Sequence, residues 1–547
     1  MDSFDASSLT AAEQERRFGY NCDYVGFLPL PFGTQSSERG LLVVNHEYTN
    51  PELMFPAYDP KSVTADQVAV QAASVGLTVA EIRFSAAGGW TLDVQSKLNR
   101  RISFNTEMAI SGPAAGAEWM KTSADPQGRT VIGTTANCSA GKTPWGTVLS
   151  AEENFQDYFA NLSSIAKDDP RRAVHERYGV HAAASEYRWE IGYERCDLKN
   201  EPNEPFRFGW VVEVDPYEPD SKPVKRTALG RFRHEAATTV VTKGGRVALY
   251  SGDDAMFEYV YKFVTSKRYD PKDRKANRDL LDDGVLYCAR FDDDGGGEWL
   301  PLVHGHGPLT AENGFGSQAD VLINTRRAAD LLGATKMDRP EDIEANPVNN
   351  KVYLVLTKNS KRGAEGNPTT NKANPRSINK HGHIIELTEE GDDHAATRFT
   401  WDIFLLCGDP KEEDTYFAGF DKSRVSMISS PDNIAFDLDG NMWIATDGQP
   451  SALKVNDGLF AVPIDGENRG YLRQFFSSAP ASEVCGPEFT PDCRNLFLAI
   501  QHPGEGSTFE KPSTSWPGEQ GPPRPSVIVI RAADGGVIGS SGDGHHG

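Results

Sequence analysis

The chain of 547 residues is 38% hydrophobic and 10% aromatic, enough for several ordinary domains or for one large repeat architecture. Its formal net charge of −22 argues against nucleic acid or an anionic membrane surface as the natural partner, because phosphate backbones recruit Lys and Arg. No segment reaches the roughly 20 consecutive apolar residues of a membrane-spanning helix. Seven cysteines with no CxxC spacing argue against a zinc ribbon, and their odd number leaves at least one outside any intramolecular disulfide.

Taken in order, Arg16-Arg17 is followed by polar and aromatic residues rather than an apolar run, so no intact export signal is expected there. Residues 25–30 and 40–47 read as strands, the second ending on His46-Glu47. Residues 64–76 read as a helix with Thr64 at its N-cap, and strands resume at 79–84 and 90–94. The Gly-rich stretch 137–154 carries Cys138 ahead of a short strand and the diacid Glu152-Glu153 behind it. Cys138 has three readings: nucleophile, metal ligand or packing residue. A nucleophile needs a base or cation that no nearby histidine supplies, whereas a metal deprotonates the thiol directly. Residues 157–205 are expected to form a helical insertion, 266–285 an exposed charged loop, 318–336 a helix, and 359–380 a long loop or lid. Short strands return from 452 and end at 526–530; Cys485 and Cys493 either pair across a turn or stay reduced.

Across this order runs a repeat led by an acidic residue: His234-Glu235-Ala236-Ala237, Pro340-Glu341-Asp342-Ile343, Pro431-Asp432-Asn433-Ile434 and Pro487-Glu488-Phe489. Each is followed by an apolar stretch, a turn, and a second strand ending in a polar cluster such as Ser251-Gly252-Asp253-Asp254 or Thr446-Asp447-Gly448. A hairpin repeated in this way predicts radial repetition, an all-β propeller of six blades over residues 1–547 with the insertions decorating it. A single acid before a strand is as readily a turn cap. Several in equivalent positions point at one axis, where only cations relieve their repulsion. Arg339, beside Glu341, and Arg376 carry guanidinium groups suited to phosphate or carboxylate, although an exposed arginine is the commoner fate.

Together these segments resemble the PhoX-type alkaline phosphatase family. The resemblance rests on Gly19-Tyr20-Asn21-Cys22-Asp23, Val44-Asn45-His46-Glu47, the 137–154 stretch, Arg231-Phe232-Arg233-His234-Glu235, Arg339-Pro340-Glu341-Asp342, Asn374-Pro375-Arg376, Ser430-Pro431-Asp432-Asn433 and Gly486-Pro487-Glu488-Phe489. It implies a six-bladed propeller whose axial site holds two iron and three calcium ions joined by a bridging oxygen. Cys138 would ligate iron, and Glu235, Asp254, Glu341 and Glu488 would ligate metal. Glu152 or Glu153 would join them, with Asp432 and Glu47 as further candidates and Arg339 and Arg376 gripping phosphate. The activity implied is hydrolysis of phosphomonoesters by a metal-bridging oxygen, in a periplasmic or secreted monomer. Two competing readings are a calcium-dependent propeller hydrolase of lactones or organophosphate esters, and a non-catalytic propeller that binds partners on its faces.

Overall fold

The computed structural model describes residues 9–539. Short, strongly apolar segments become its buried strands: every residue of Val352–Leu356, Met442–Thr446 and Leu496–Gln501 is buried. Such segments need both faces covered, and six blades packed around an axis provide that; they form five hydrogen-bonded sheets, because blades 3 and 4 share one.

Blade 1 runs from Cys22–Pro29 through Arg39–His46 and Gly76–Ser85 to Gly89–Leu92. Blade 2 orders Asn137–Lys142, Val148–Glu152, Val211–Val214 and Val224–Arg226. Blade 3 is Thr238–Val241, Val247–Gly252, Val260–Thr265 and Gly284–Phe291. Its continuation, Gly296–Pro301, pairs with Arg398–Leu406, the outer strand of blade 4, whose other strands are Pro340–Ala345, Val352–Leu356 and His383–Glu389. Blade 5 comprises Pro431–Phe436, Met442–Thr446, Gly458–Val462 and Arg473–Ser477. Blade 6 has three strands, Glu483–Phe489, Leu496–Gln501 and Ser526–Ile530. The first strand of each blade touches its counterpart in the next, and Cys22–Pro29 against Glu483–Phe489 closes the ring. Apolar burial seals that junction, with Val25, Phe27 and Leu42 packed against Cys485, Phe497 and Ala499.

The insertions follow their local chemistry. Thr64 caps the helix Ala65–Ser74 in a reciprocal box with Gln67, as its sequence predicts. The 157–205 insertion is mostly single 3-10 turns around one helix, Pro170–Tyr178, and 318–336 forms two short helices, Gln318–Ile323 and Thr325–Leu332. Two expectations change. The 266–285 segment buries Asn277, Leu280 and Leu281, so it is anchored rather than a free loop. The 359–380 loop is pinned by a buried ion pair, Arg362 Nε to Asp338 Oδ1 at 2.5 Å, which does not suit a lid. All seven cysteines are free thiols, so Cys485 and Cys493 are not joined.

One irregularity positions everything that follows. In five first strands the ladder gains an extra residue, opposing two residues to one: Asp23-Tyr24, Cys138-Ser139, Glu341-Asp342, Asp432-Asn433 and Gly486-Pro487 occupy these bulges. Blade 3 has the same surplus between the His234–Asp253 bridge and the Thr238–Tyr250 pair, where Glu235 sits. A bulge bends the strand and re-aims its side chains.

Candidate metal centre

The first residue of each bulge forms one ring: Asp23, Cys138, Glu235, Glu341, Asp432 and, in blade 6, Gly486. A second ring comes from the second strand, two positions past the residue that faces the bulge. There stand Glu47, Glu153, Asp254, Thr357 and Asp447. Blade 6 departs from both rings and contributes Glu483, Gln501 and His502. All of these residues except Asp23, Gly486 and Thr357 line a cavity of about 170 Å³, with Arg339, Tyr48, Asn154 and Glu505 completing its wall.

The ligand-type atoms converge in overlapping triads, each within 4.8 Å: Asp23–Glu47–Cys138, Cys138–Glu153–Glu235, Glu235–Glu341–Asp432, Asp447–Glu483–His502 and Asp23–Glu483–Cys485. Neighbouring triads share Cys138, Glu235, Asp23 or Glu483, so the donors form one continuous cluster. Burial and mutual repulsion hold these groups toward their neutral forms. Asp23 is pushed up to about 7 and Glu47 to about 8, each mainly by burial. Glu153, Glu235, Glu341, Asp432 and Glu483 rise well above the usual carboxylate range through burial and then neighbouring acids. Burial also raises the Cys138 thiol. Asp254 is the exception. Burial opposes its ionisation, yet Arg339 keeps it below its usual value.

That guanidinium donates from Nε and Nη2 to the two Asp254 oxygens at 2.8 and 2.5 Å, and Nη2 lies 3.2 Å from Glu341 Oε1. One arginine cannot neutralise so many acids. Two buried acceptors, Asp23 Oδ1 and Gln501 Oε1, have no hydrogen-bond partner, although Gln501 Nε2 donates to Asp23 Oδ2 and Glu47 Oε2. Unpartnered buried oxygens beside crowded carboxylates and a thiol are a donor set that fits multivalent cations.

The structure thus brings together Cys138, Glu153, Glu235, Asp254, Glu341, Asp432 and Arg339. It separates three others. Glu152 faces away, accepting from Lys225 Nζ at 2.6 Å, Thr134 Oγ1 at 2.8 Å and the backbone amides of Gly209 and Trp210. Successive strand residues point to opposite faces, so only one of the diacid can look inward. Glu488 also lies outside the cavity, where its Oε1 accepts from Phe27 N at 2.9 Å and Lys142 Nζ at 2.5 Å. Pro487-Glu488 matches Pro340-Glu341 in letters, but the ladder register aligns Pro487 with Asp342, carrying Glu488 two residues too far. Arg376 is bound to the Gly382 and Asp414 carbonyls and to the Asp414 carboxylate, and does not line the cavity.

Sequence reasoning missed Asp23, Asp447, Glu483, Gln501 and His502 as site residues. A signal existed for Asp447, since it follows its second strand just as Glu47, Glu153 and Asp254 do. Asp23 shares the bulge position with Cys138, but pairing register is not written in the letters.

Fold and cavity together define a six-bladed β-propeller with a polycarboxylate axial site able to hold multivalent cations. The chain belongs to the alkaline phosphatase PhoX family, whose model matches residues 1–504, and it is a phosphatase. Among solved structures, Pseudomonas fluorescens PhoX in complex with vanadate, a transition state analogue, is 42% identical. The match covers 98% of this chain and 93% of that one with a TM-score of 0.89. A Dyadobacter fermentans protein of unknown function is 8% identical over 94% of this chain and 96% of that one, with a TM-score of 0.39. No curated protein matches the chain. No helix among the described residues is long and apolar enough to cross a membrane.

Proposed function

We propose that this phosphatase hydrolyses phosphomonoesters, releasing inorganic phosphate, at an axial cluster of two iron and three calcium ions. The observation that carries the reading is the convergence of the overlapping donor triads on one axis. The vanadate complex of the 42% identical relative supports it. Cys138, shared by two triads, suits iron; the all-carboxylate triad Glu235–Glu341–Asp432 suits calcium. Glu47, Glu153, Asp23, Asp254 and the blade 6 donors complete the ligand set. When bound, the cations neutralise the phosphoryl oxygens and lower the pKa of the attacking oxygen.

The chain's own groups set the geometry. Asp254 and Glu341 fix the Arg339 guanidinium from one edge, leaving Nη1 to grip a phosphoryl oxygen as charge redistributes. Asn154 Nδ2 steadies Glu153 Oε2 at 2.6 Å, and Asn433 Nδ2 steadies Glu235 Oε1 at 3.2 Å. These contacts hold the donors in place before substrate arrives. The family is generally exported, which supports a periplasmic or secreted location.

Elemental analysis of the purified protein, alongside p-nitrophenyl phosphate hydrolysis with and without calcium chelation, tests the proposal. Iron and calcium with chelator-sensitive turnover are expected. Calcium without iron, or turnover indifferent to chelation, would overturn the mixed iron–calcium assignment.

A further inference from the structure

In blade 6 the bulge position that elsewhere carries an acid or Cys138 is Gly486. No larger residue fits: its φ is +54°, and an added Cβ would lie 2.5 Å from Val25 N and 2.6 Å from Asp23 O, both backbone atoms of blade 1. Blade 6 therefore cannot offer a first-ring donor in the usual way. The residue just before it, Cys485, is wholly buried, and its Sγ lies 2.9 Å from Glu483 Oε1. That sulfur, Glu483 and Asp23 present ligand atoms within 4.8 Å of one another. A second observation points to an occupant: Asp23 Oδ1 is buried with no hydrogen-bond partner. Asp23 also belongs to the triad with Glu47 and Cys138, and its Oδ2 lies 3.6 Å from the Cys138 Sγ.

We infer that Cys485 is a second sulfur ligand of the axial cluster, sharing Asp23 with Cys138 and holding a thiolate-preferring cation of the iron class between blades 6 and 1. The inference rests on the metal-centre reading above. Chemically, the thiol gives up its proton to solvent as the cation binds, so that the sulfur ligates as thiolate. A carboxylate at this position would favour calcium; sulfur shifts the preference to a softer ion.

The test uses the full chain, as the metal-loaded protein and after chelation, with ferrous iron and calcium as the reloading ions. Infrared S–H bands are expected to drop by two on reloading, and iron absorption-edge fine structure to show sulfur from two side chains. In C485S one sulfur scatterer and one S–H band are lost while the Cys138 contribution stays. Loss of a single S–H band in the wild type, with C485S spectra unchanged, overturns the inference yet leaves the metal centre intact. Absence of any sulfur around iron overturns the underlying reading as well. The wild-type infrared comparison decides the matter even if C485S fails to fold.

Discussion

Neighbouring residues with the same chemistry have opposite roles here. Glu152 neutralises Lys225, and both side chains are fully buried. Glu152→Ala leaves that ammonium unpaired and two backbone amides without their acceptor, so it should cost about 3–5 kcal/mol in urea unfolding. Glu153→Gln should do the reverse: metal content by elemental analysis falls, while the chelated protein unfolds at a higher urea concentration because one repelling carboxylate is gone. Equal effects of the two substitutions on metal content would refute the assignment. Arg339→Ala removes the cavity's guanidinium and should lower kcat/KM on p-nitrophenyl phosphate by roughly 10²- to 10³-fold, like loss of a preorganised donor. Arg339→Lys should recover little, since an ammonium cannot span both Asp254 oxygens and still present a third donor.

At the scale of the strand, the bulge is the device that matters. One surplus residue turns a side chain that would pack between blades toward the axis, and the second strand adds the residue two positions past the one facing the bulge. Six copies make a site that no single blade could hold. Blade 6 shows the constraint on this arrangement, because ring closure brings blade 1 backbone against Gly486. Gly486→Ala should therefore destabilise the fold by at least 1–3 kcal/mol, roughly the cost of strained backbone, with further loss from the displaced junction. Guanidinium unfolding curves check this; an unchanged midpoint would show that the junction yields more easily than the backbone contacts indicate.

For the molecule as a whole, the cluster couples stability to metal and pH. Asp23 and Glu47 have folded-state values of about 7 and about 8, raised mainly by burial from ordinary values of 3.8 and 4.5. A raised acid means the folded state holds protons that the unfolded chain has released. Without cations, the stability these two groups contribute is therefore fully present below about pH 4 and is lost as pH climbs toward 8. Every tenfold difference in proton affinity between the folded and unfolded states corresponds to roughly 1.4 kcal/mol, so the chelated protein should lose several kcal/mol over that range. Calorimetry from pH 5 to 9 should show Tm falling with pH after chelation and far less change with iron and calcium restored. Parallel slopes for both forms would remove the cluster as the cause.

Local chemistry made much of this protein readable in advance. Apolar runs marked the strands, Thr64 marked a helix start, and acid-led hairpins marked both the radial repeat and Glu235, Glu341 and Asp432 as axial residues. These features depend on neighbours a few positions apart, which the letters display directly. Register and closure do not. Side chains alternate with a period of two, so a slip of one or two positions decides whether Glu153 or Glu152 turns inward and sends Glu488 out of the cavity. Gln501 reaches Asp23 across 478 positions, a meeting that exists only because the last blade packs against the first. The repeated motif carried the need for cations; the tertiary ring decided which oxygens and sulfurs would face them.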